Sequence, residues 1–257
     1  MLLIAALTVL LCQTALATVE DLDCGRVPPS LWCKNDEIAK KCGVADQCGT
    51  YKKESSNKKL LITVLFEGLC PDCQQFISGA LYNDVYEHFQ KYVDIELVPY
   101  GNAHKLSNGT VQCQHGPKEC EVNLHEACAI HYLPKPLPFI YCLELKLKMG
   151  ISLDDAAQSC YLKNHVSHIV YDQILHCIKS QKGQDLIDEA AKRTEAAYPD
   201  QHKYVPWLYF NNVSLANSQF LIHDLPVSIC DWLVGEKPDF CSGIGRKHTR
   251  VGGYTRH

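Results

Sequence analysis

The sequence predicts an α/β protein, on three observations. Leu60-Leu61-Ile62-Thr63-Val64-Leu65-Phe66 is a short apolar run of buried-strand type. It leads into Cys70-Pro71-Asp72-Cys73 and a stretch in which Phe76, Ile77, Leu81, Val85, Phe89 and Tyr92 recur at three- or four-residue steps, one face of a helix over 70–92. Val93, Ile95 and Leu97 then alternate with Asp94 and Glu96 over 93–99, as in a half-exposed strand. A β-α-β unit of this size implies parallel pairing with a right-handed crossover.

From about 102 to 203 the pattern changes to helical pieces carrying six cysteines, too long for a loop. Pro134, Pro136 and Pro138 break one connection, and a helix around Gln184 to Ala197 ends before Pro199. Tyr204 to Phe210 reads as a strand with Pro206 at its start, Asn211-Asn212 as a hairpin turn, and Gln219 to Val234 as a last helix interrupted near Pro226. This order resembles a thioredoxin-like domain over 60–241 with a disulfide-rich helical insertion. In such folds the proline before the third strand is cis and faces the dithiol, a position that Val205-Pro206 fits. A trans proline at a strand start is the alternative.

Four further segments frame that domain. Residues 1–17 have the form of a secretory signal, with an apolar core from Leu2 to Leu11 and small residues at Ala15-Leu16-Ala17. Residues 18–50 form a small cysteine-rich unit. Trp32-Cys33, Ala39, Cys42 and Cys48, with a short helical stretch from Asp36 to Lys41, resemble the saposin A-type motif. That unit is either a disulfide-stapled cap or a partner-binding module. Polar residues 51–59 read as a linker, and 242–257, with Arg246, Lys247, His248 and Arg250 among glycines, as a basic flexible tail.

Fifteen cysteines fit an oxidising compartment, and fourteen remain once Cys12 leaves with the signal. They fall into even blocks: Cys24, Cys33, Cys42 and Cys48; Cys70 and Cys73; and Cys113, Cys120, Cys128, Cys142, Cys160, Cys177, Cys230 and Cys241. Pairing inside each block is the expectation, with connectivity open. Sequons at Asn108 and Asn212 agree with secretory passage. A net charge of -4 gives no reason to propose nucleic-acid binding, and after the signal no run approaches 18 apolar residues, so no transmembrane segment is expected.

One constellation is more specific. The run from Cys113 to Cys128 contains Cys113-Gln114-His115-Gly116, Glu119-Cys120, Asn123 and Cys128 in an ungapped CQHG-x2-EC-x2-N-x4-C pattern. With Leu97 to Ala103, Tyr204 to Trp207 and Lys237 to Cys241, it resembles the gamma-interferon-inducible lysosomal thiol reductase family over roughly residues 60–241. That resemblance implies reduction of protein disulfides at acidic pH, an endosomal and lysosomal location, and unfolding of antigens before proteolysis. It makes Cys70 and Cys73 the catalytic dithiol and the motif's own cysteines structural disulfides. Cys113, Cys120 and Cys128 with His115 or His125 raise the thought of zinc, but their spacings lack paired chelating turns, and no metal site is expected.

The expected chemistry is thiol–disulfide exchange. Cys70 at a helix N-terminus attacks a substrate disulfide, Cys73 resolves the mixed disulfide, and an external small thiol, with no bound cofactor, restores the pair. A thiol of pKa about 8.5 is ionised roughly one part in ten thousand near pH 4.5, so N–H···S hydrogen bonds must lower the pKa beyond what the dipole supplies. Asp72, if ionised about 6 Å away, opposes the thiolate by about 0.7 to 2.8 kcal/mol, although its charge suits a helix N-terminus. Two other readings are a secretory-pathway oxidase or isomerase and a non-enzymatic disulfide-rich binding protein.

Overall fold

The computed structural model describes residues 32–248 apart from 34 and 57. The expected signal 1–17, Cys24 and the last part of the basic tail lie outside the described residues. The chain divides between Glu54 and Ser55 into two compact units. In the first, α1 (Asp36–Lys41) starts at Asn35, whose side chain accepts from the N–H groups of Glu37 and Ile38. A disulfide joins Cys33 to Cys48 on α2 (Ala45–Ser55), and Cys42 is also disulfide-bonded. The expected linker at 51–59 is therefore corrected: α2 runs through Ser55. Its polar residues are exposed helix, with Lys52 2.9 Å from Asp36, and an exposed helix has the composition of a linker.

The second unit is built on a four-stranded sheet of order β2-β1-β5-β6, the α/β class expected. β1 (Leu60–Phe66) pairs in parallel with β2 (Val93–Pro99), Leu60 opposite Val93 and Phe66 opposite Pro99. All of β1 except Leu61 is buried, which explains why it reads as a continuous apolar run. β5 (Trp207–Phe210) runs antiparallel to β1 and turns through Asn211 and Asn212, both at positive φ, into β6 (Val213–Ser214). The strand expected from Tyr204 thus begins at Trp207, after the cis Val205–Pro206 bond.

The helix between β1 and β2, α3, is not the uniform one that the periodicity suggests. It starts as Pro71–Phe76, passes through a π-helical stretch, Ile77–Tyr86, and ends in Glu87–Phe89. Gly79, at φ -112 and ψ -108, bends it. Ile77, Leu81, Val85 and Phe89 remain fully buried against the core, so the apolar face survives the bend.

The insertion holds a short hairpin, β3 (His104–Lys105) and β4 (Val111–Gln112), and five helices: α4 (Pro117–Tyr132), α5 (Leu137–Lys148), α6 (Leu153–Lys163), α7 (His168–Ile178) and α8 (Gln181–Glu195). Disulfides Cys113–Cys120, Cys128–Cys177 and Cys142–Cys160 all close within it. The expected last helix is split into a 3-10 turn, Ala216–His223, and α9 (Leu225–Trp232) with Pro226 in its first turn. The basic tail is corrected in part. Helix α10 (Asp239–His248) occupies its start, tied to α9 by Cys230–Cys241.

The insertion packs tightly against Gly68, in the loop after β1. A Cβ there would lie 2.1 Å from Val122 Cγ1 on α4. Gly68→Ala is expected to cost about 1–3 kcal/mol, the usual penalty for overpacking. Thermal unfolding of Gly68→Ala beside Gly68→Ala/Val122→Ala checks this: the double variant should recover part of the loss. An unshifted melting temperature for the single variant would refute the close contact.

Candidate functional site

Cys70 and Cys73 are the free cysteines among the described residues, whereas every other described cysteine is disulfide-bonded. The strand-to-helix placement read from sequence holds. Cys70 is the N-cap of α3, with Pro71 at its first turn, and its Sγ accepts from the Cys73 N–H at 3.4 Å. In the thiol form Cys70 donates to the Val205 carbonyl at 3.8 Å, so the segment ahead of Pro206 faces the dithiol as expected. Cys70 is 6% exposed and Cys73 not at all.

The two thiols are driven apart in acidity. A hydrogen bond from the Cys73 thiol, N–H groups of Cys73 and Asp72, and the charge of His115 outweigh burial and lower the Cys70 pKa to about 7. Burial, then the hydrogen bond and charge of Cys70, push the Cys73 thiol far up. Cys70 is thus the more acidic thiol, and Cys73 the one that holds its proton. Asp72 is exposed, and its backbone N–H supports the thiolate that its carboxylate was expected to oppose.

The loop that carries Cys70 is pinned from three sides. Gly68 donates its N–H to Asn123 Oδ1 on α4 at 2.9 Å, and Gln74 Nε2 donates to the Gly68 carbonyl at 3.0 Å. Glu67 is fully buried, and its Oε1 accepts from the Asn102 N–H at 2.5 Å. Gly101, at φ +58, leaves room for that carboxylate, since a Cβ would fall 2.4 Å from Glu67 Cγ.

The Cys113–Cys128 motif closes over this loop. The Cys113–Cys120 disulfide ties the turn to the start of α4, where His115 donates its N–H to Glu119 Oε1 at 2.9 Å and sets Nδ1 2.5 Å from Glu119 Oε2. The same Nδ1 is 3.4 Å from Glu67 Oε2. Burial alone would lower the imidazole's proton affinity, but the Glu119 hydrogen bond and the charges of Glu119, Glu67 and Cys70 raise it. Glu67 is raised to about 7, by burial first and then by Glu119 and Cys70, against the Asn102 N–H and His115. Near Cys70 there is therefore an imidazolium that persists in acid and a carboxyl that is neutral in acid.

Donor atoms of Glu67, His115 and Glu119 lie within 4.8 Å of one another, a grouping of metal-ligand type. The 2.5 Å contact between Nδ1 and Glu119 is closer than the roughly 3.3 Å that two donors keep around a tetrahedral zinc ion, and it fits a shared proton. The zinc thought raised for Cys113, Cys120 and Cys128 fails, because all three sulfurs are in disulfides.

Two more carboxyls are fully buried on α4 and α5, Glu126 and Glu144. Sequence reasoning missed Glu67, Glu119, Glu126 and Glu144. A signal existed for Glu119, whose four-residue spacing from His115 spans one helical turn. None existed for Glu67 or Glu144, which sit in otherwise apolar runs. The sequon asparagines are both exposed: Asn108 in the β3–β4 turn, and Asn212 in the β5–β6 turn, where its Oδ1 accepts from Arg193 at 2.7 Å.

A family model described as gamma interferon inducible lysosomal thiol reductase matches residues 61–164. The chain is 33% identical over 229 residues to "Gamma-interferon-inducible lysosomal thiol reductase" of Carassius auratus, covering 87% of each chain. It is 31% identical over 198 residues to the protein of that name from Mus musculus, covering 74% of this chain and 75% of the relative. "Gamma-interferon-responsive lysosomal thiol protein" of Arabidopsis thaliana is 32% identical over 189 residues, covering 72% of this chain and 76% of the relative.

The charges around Cys70 set a pH-dependent expectation. The neighbouring carboxyls raise His115 and keep it cationic in acid, so His115→Gln removes that cation and moves the alkylation profile of Cys70 up, by about 0.5 to 1 unit. Glu67→Gln removes an anion present only above about pH 7, so alkylation is unchanged at pH 5 and faster near pH 7.5. Iodoacetamide rates from pH 4.5 to 9 check both. Profiles that superimpose on the parent's would remove the electrostatic account.

Proposed function

The chain belongs to the gamma-interferon-inducible lysosomal thiol reductase family, and from that premise we propose that it reduces protein disulfides in acidic compartments through Cys70 and Cys73. The observation that carries the site assignment is the pair of free thiols at the α3 N-terminus amid otherwise paired cysteines. Cys70 thiolate attacks one sulfur of a substrate disulfide and bonds to it, while the other sulfur leaves as a thiolate and takes a proton. Cys73 gives up its proton, attacks the Cys70 sulfur of the mixed disulfide and releases the second substrate thiol. An external small thiol then returns the Cys70–Cys73 disulfide to the dithiol.

Acid is the working condition that this charge arrangement supports. His115 is cationic and Glu67 neutral below about pH 6.5, and both states favour the thiolate. A parallel β1–β2 pair, a dithiol at the start of the intervening helix and a cis proline beside it support the thioredoxin-like reading of the second unit. The relatives' names support a lysosomal location and, with it, a part in unfolding antigens before proteolysis. The exposed Asn108 and Asn212 fit glycosylation in transit. For the first unit, the likeness to a saposin A-type motif supports contact with a partner.

Insulin reduction with a small thiol donor at pH 4.5 and 7.4 tests this reading. The parent protein should exceed the donor's own rate at both pH values, and by the larger ratio at pH 4.5, where an ordinary thiol is least ionised. Cys70→Ser should fall to background, and Cys73→Ser should accumulate the mixed disulfide. Activity that survives Cys70→Ser would overturn the assignment.

A further inference from the structure

The buried carboxyls Glu126 and Glu144 have no part in the mechanism so far. Both are fully buried, and apart from each other their four oxygens have no hydrogen-bond partner among the described residues. An unpartnered carboxylate in that setting costs several kcal/mol, so the groups stay neutral instead. Burial raises Glu126 to about 8, and burial with the Glu126 charge raises Glu144 well above the ordinary carboxyl range. The pair is a proton store held inside the protein.

Its place is beside the dithiol. Glu126 Oε2 lies 3.0 Å from the Cβ position of Gly68, two residues before Cys70. Glu144 is on α5, which packs against the first turns of α3, and it interacts electrostatically with both Cys73 and Cys70. Besides the exposed Asp72 between the cysteines, the other ionisable groups around the dithiol are Glu67 at the end of β1 and, from the motif turn and α4, His115 and Glu119. Those three are already joined to one another.

Reopening the disulfide creates the need for a buried acid. When a small thiolate attacks Cys70 Sγ, the Cys70–Cys73 bond breaks and the electron pair goes to Cys73 Sγ. That sulfur is fully buried, so solvent protons reach it slowly and a proton held beside it is the faster source. We propose that Glu144, with Glu126 as its partner, is the proton donor to Cys73 when a small thiol reopens the Cys70–Cys73 disulfide. The step balances: the small thiol becomes bonded to Cys70, Cys73 becomes a thiol, and the carboxyl pair is left one proton short. A second small thiol then attacks the mixed disulfide, leaving as the oxidised small disulfide and releasing Cys70 thiolate. Solvent restores the pair's proton. By microscopic reversibility the same carboxyl receives the Cys73 proton when the disulfide closes.

This rests on the dithiol cycle proposed above, and the test separates the two. The full chain, oxidised at Cys70–Cys73, is mixed with excess cysteamine at pH 5 and quenched by alkylation, and the freed Cys73 is followed by mass. Glu144→Gln is expected to slow opening by about tenfold or more, short of full loss of general-acid catalysis because Glu126 remains. Glu126→Gln should slow it less, and Glu144→Asp should keep part of the rate. Alkylation of Cys70 in the reduced Glu144→Gln variant should stay within about twofold of the parent at pH 5, since the carboxyl it replaces is neutral there. A Glu144→Gln protein that opens at the parent's rate overturns the proposal. So does one in which opening and Cys70 alkylation fall together, which marks a structural role. Should Glu144→Gln not fold, the same pair of rates in Glu126→Gln decides. A parent disulfide that cysteamine cannot reopen overturns the dithiol cycle itself, and this step with it.

Discussion

The contact between Gly68 and Val122 is the constraint on which the rest of the second unit depends. A glycine in the β1–α3 loop lets α4 approach until only a hydrogen atom fits between them. That approach brings Asn123 onto the Gly68 N–H and Glu126 against the same loop. It also sets the motif turn, closed by Cys113–Cys120, so that His115 reaches Glu67 at the end of β1. The helical insertion is therefore part of the redox centre. The sheet and α3 supply the two thiols and the hydrogen bonds between them, and the insertion supplies the charges of His115 and Glu144 that act on them.

Those groups also bear on where the fold is comfortable. A carboxyl whose folded pKa is raised contributes stability fully below its unfolded value near 4.5 and loses it as pH rises through the folded value. For Glu67 the folded value is about 7 and for Glu126 about 8, and Glu144 has the same sign. His125, lowered to about 4 by burial, works the other way: its contribution is present above about 6.5 and lost as pH falls toward 4. Between pH 8 and 5 the chain gains about 2–3 kcal/mol from Glu67 and loses about 2 from His125, and the carboxyl pair adds to the gain. The balance favours acid, where a protein with this many buried carboxyls pays least for them.

Much of this was legible in the sequence, and each exception has its own physical cause. Periodicity located β1, β2 and the buried face of α3, because each element's side chains meet one apolar surface. The cysteine blocks predicted pairing inside each block, and Cys113–Cys120, Cys128–Cys177, Cys142–Cys160 and Cys230–Cys241 follow it. The bend at Gly79 escaped, since a π-helical stretch keeps nearly the same apolar spacing as an α-helix. Residues 51–55 read as linker because an exposed helix and a linker share a composition. The acids of the site escaped for a deeper reason. Glu67, Glu126 and Glu144 matter because of what lies across from them, on elements 50 to 80 residues apart in the case of Glu67 and the insertion helices, and a linear pattern carries no such information.

The acidity of Cys70 also bears on the choice between reductase and oxidase. Strongly oxidising C-x-x-C pairs hold the first thiol near pKa 3.5, because a very stable thiolate favours the reduced protein, whereas reducing pairs sit near 7. Here the hydrogen bond from Cys73, the backbone N–H groups and His115 pull the thiol down, and burial holds it at about 7. Nucleophilicity falls as pKa falls, so a thiol at about 7 keeps more reactivity per thiolate than one at 3.5. The cost is a small thiolate fraction in acid, on the order of one part in a hundred at pH 5. That fraction is still far above the roughly one part in three thousand of an ordinary thiol at the same pH. The site thus gains thiolate from the His115 cation and the neutral state of Glu67, without the deep stabilisation that would turn the pair into an oxidant.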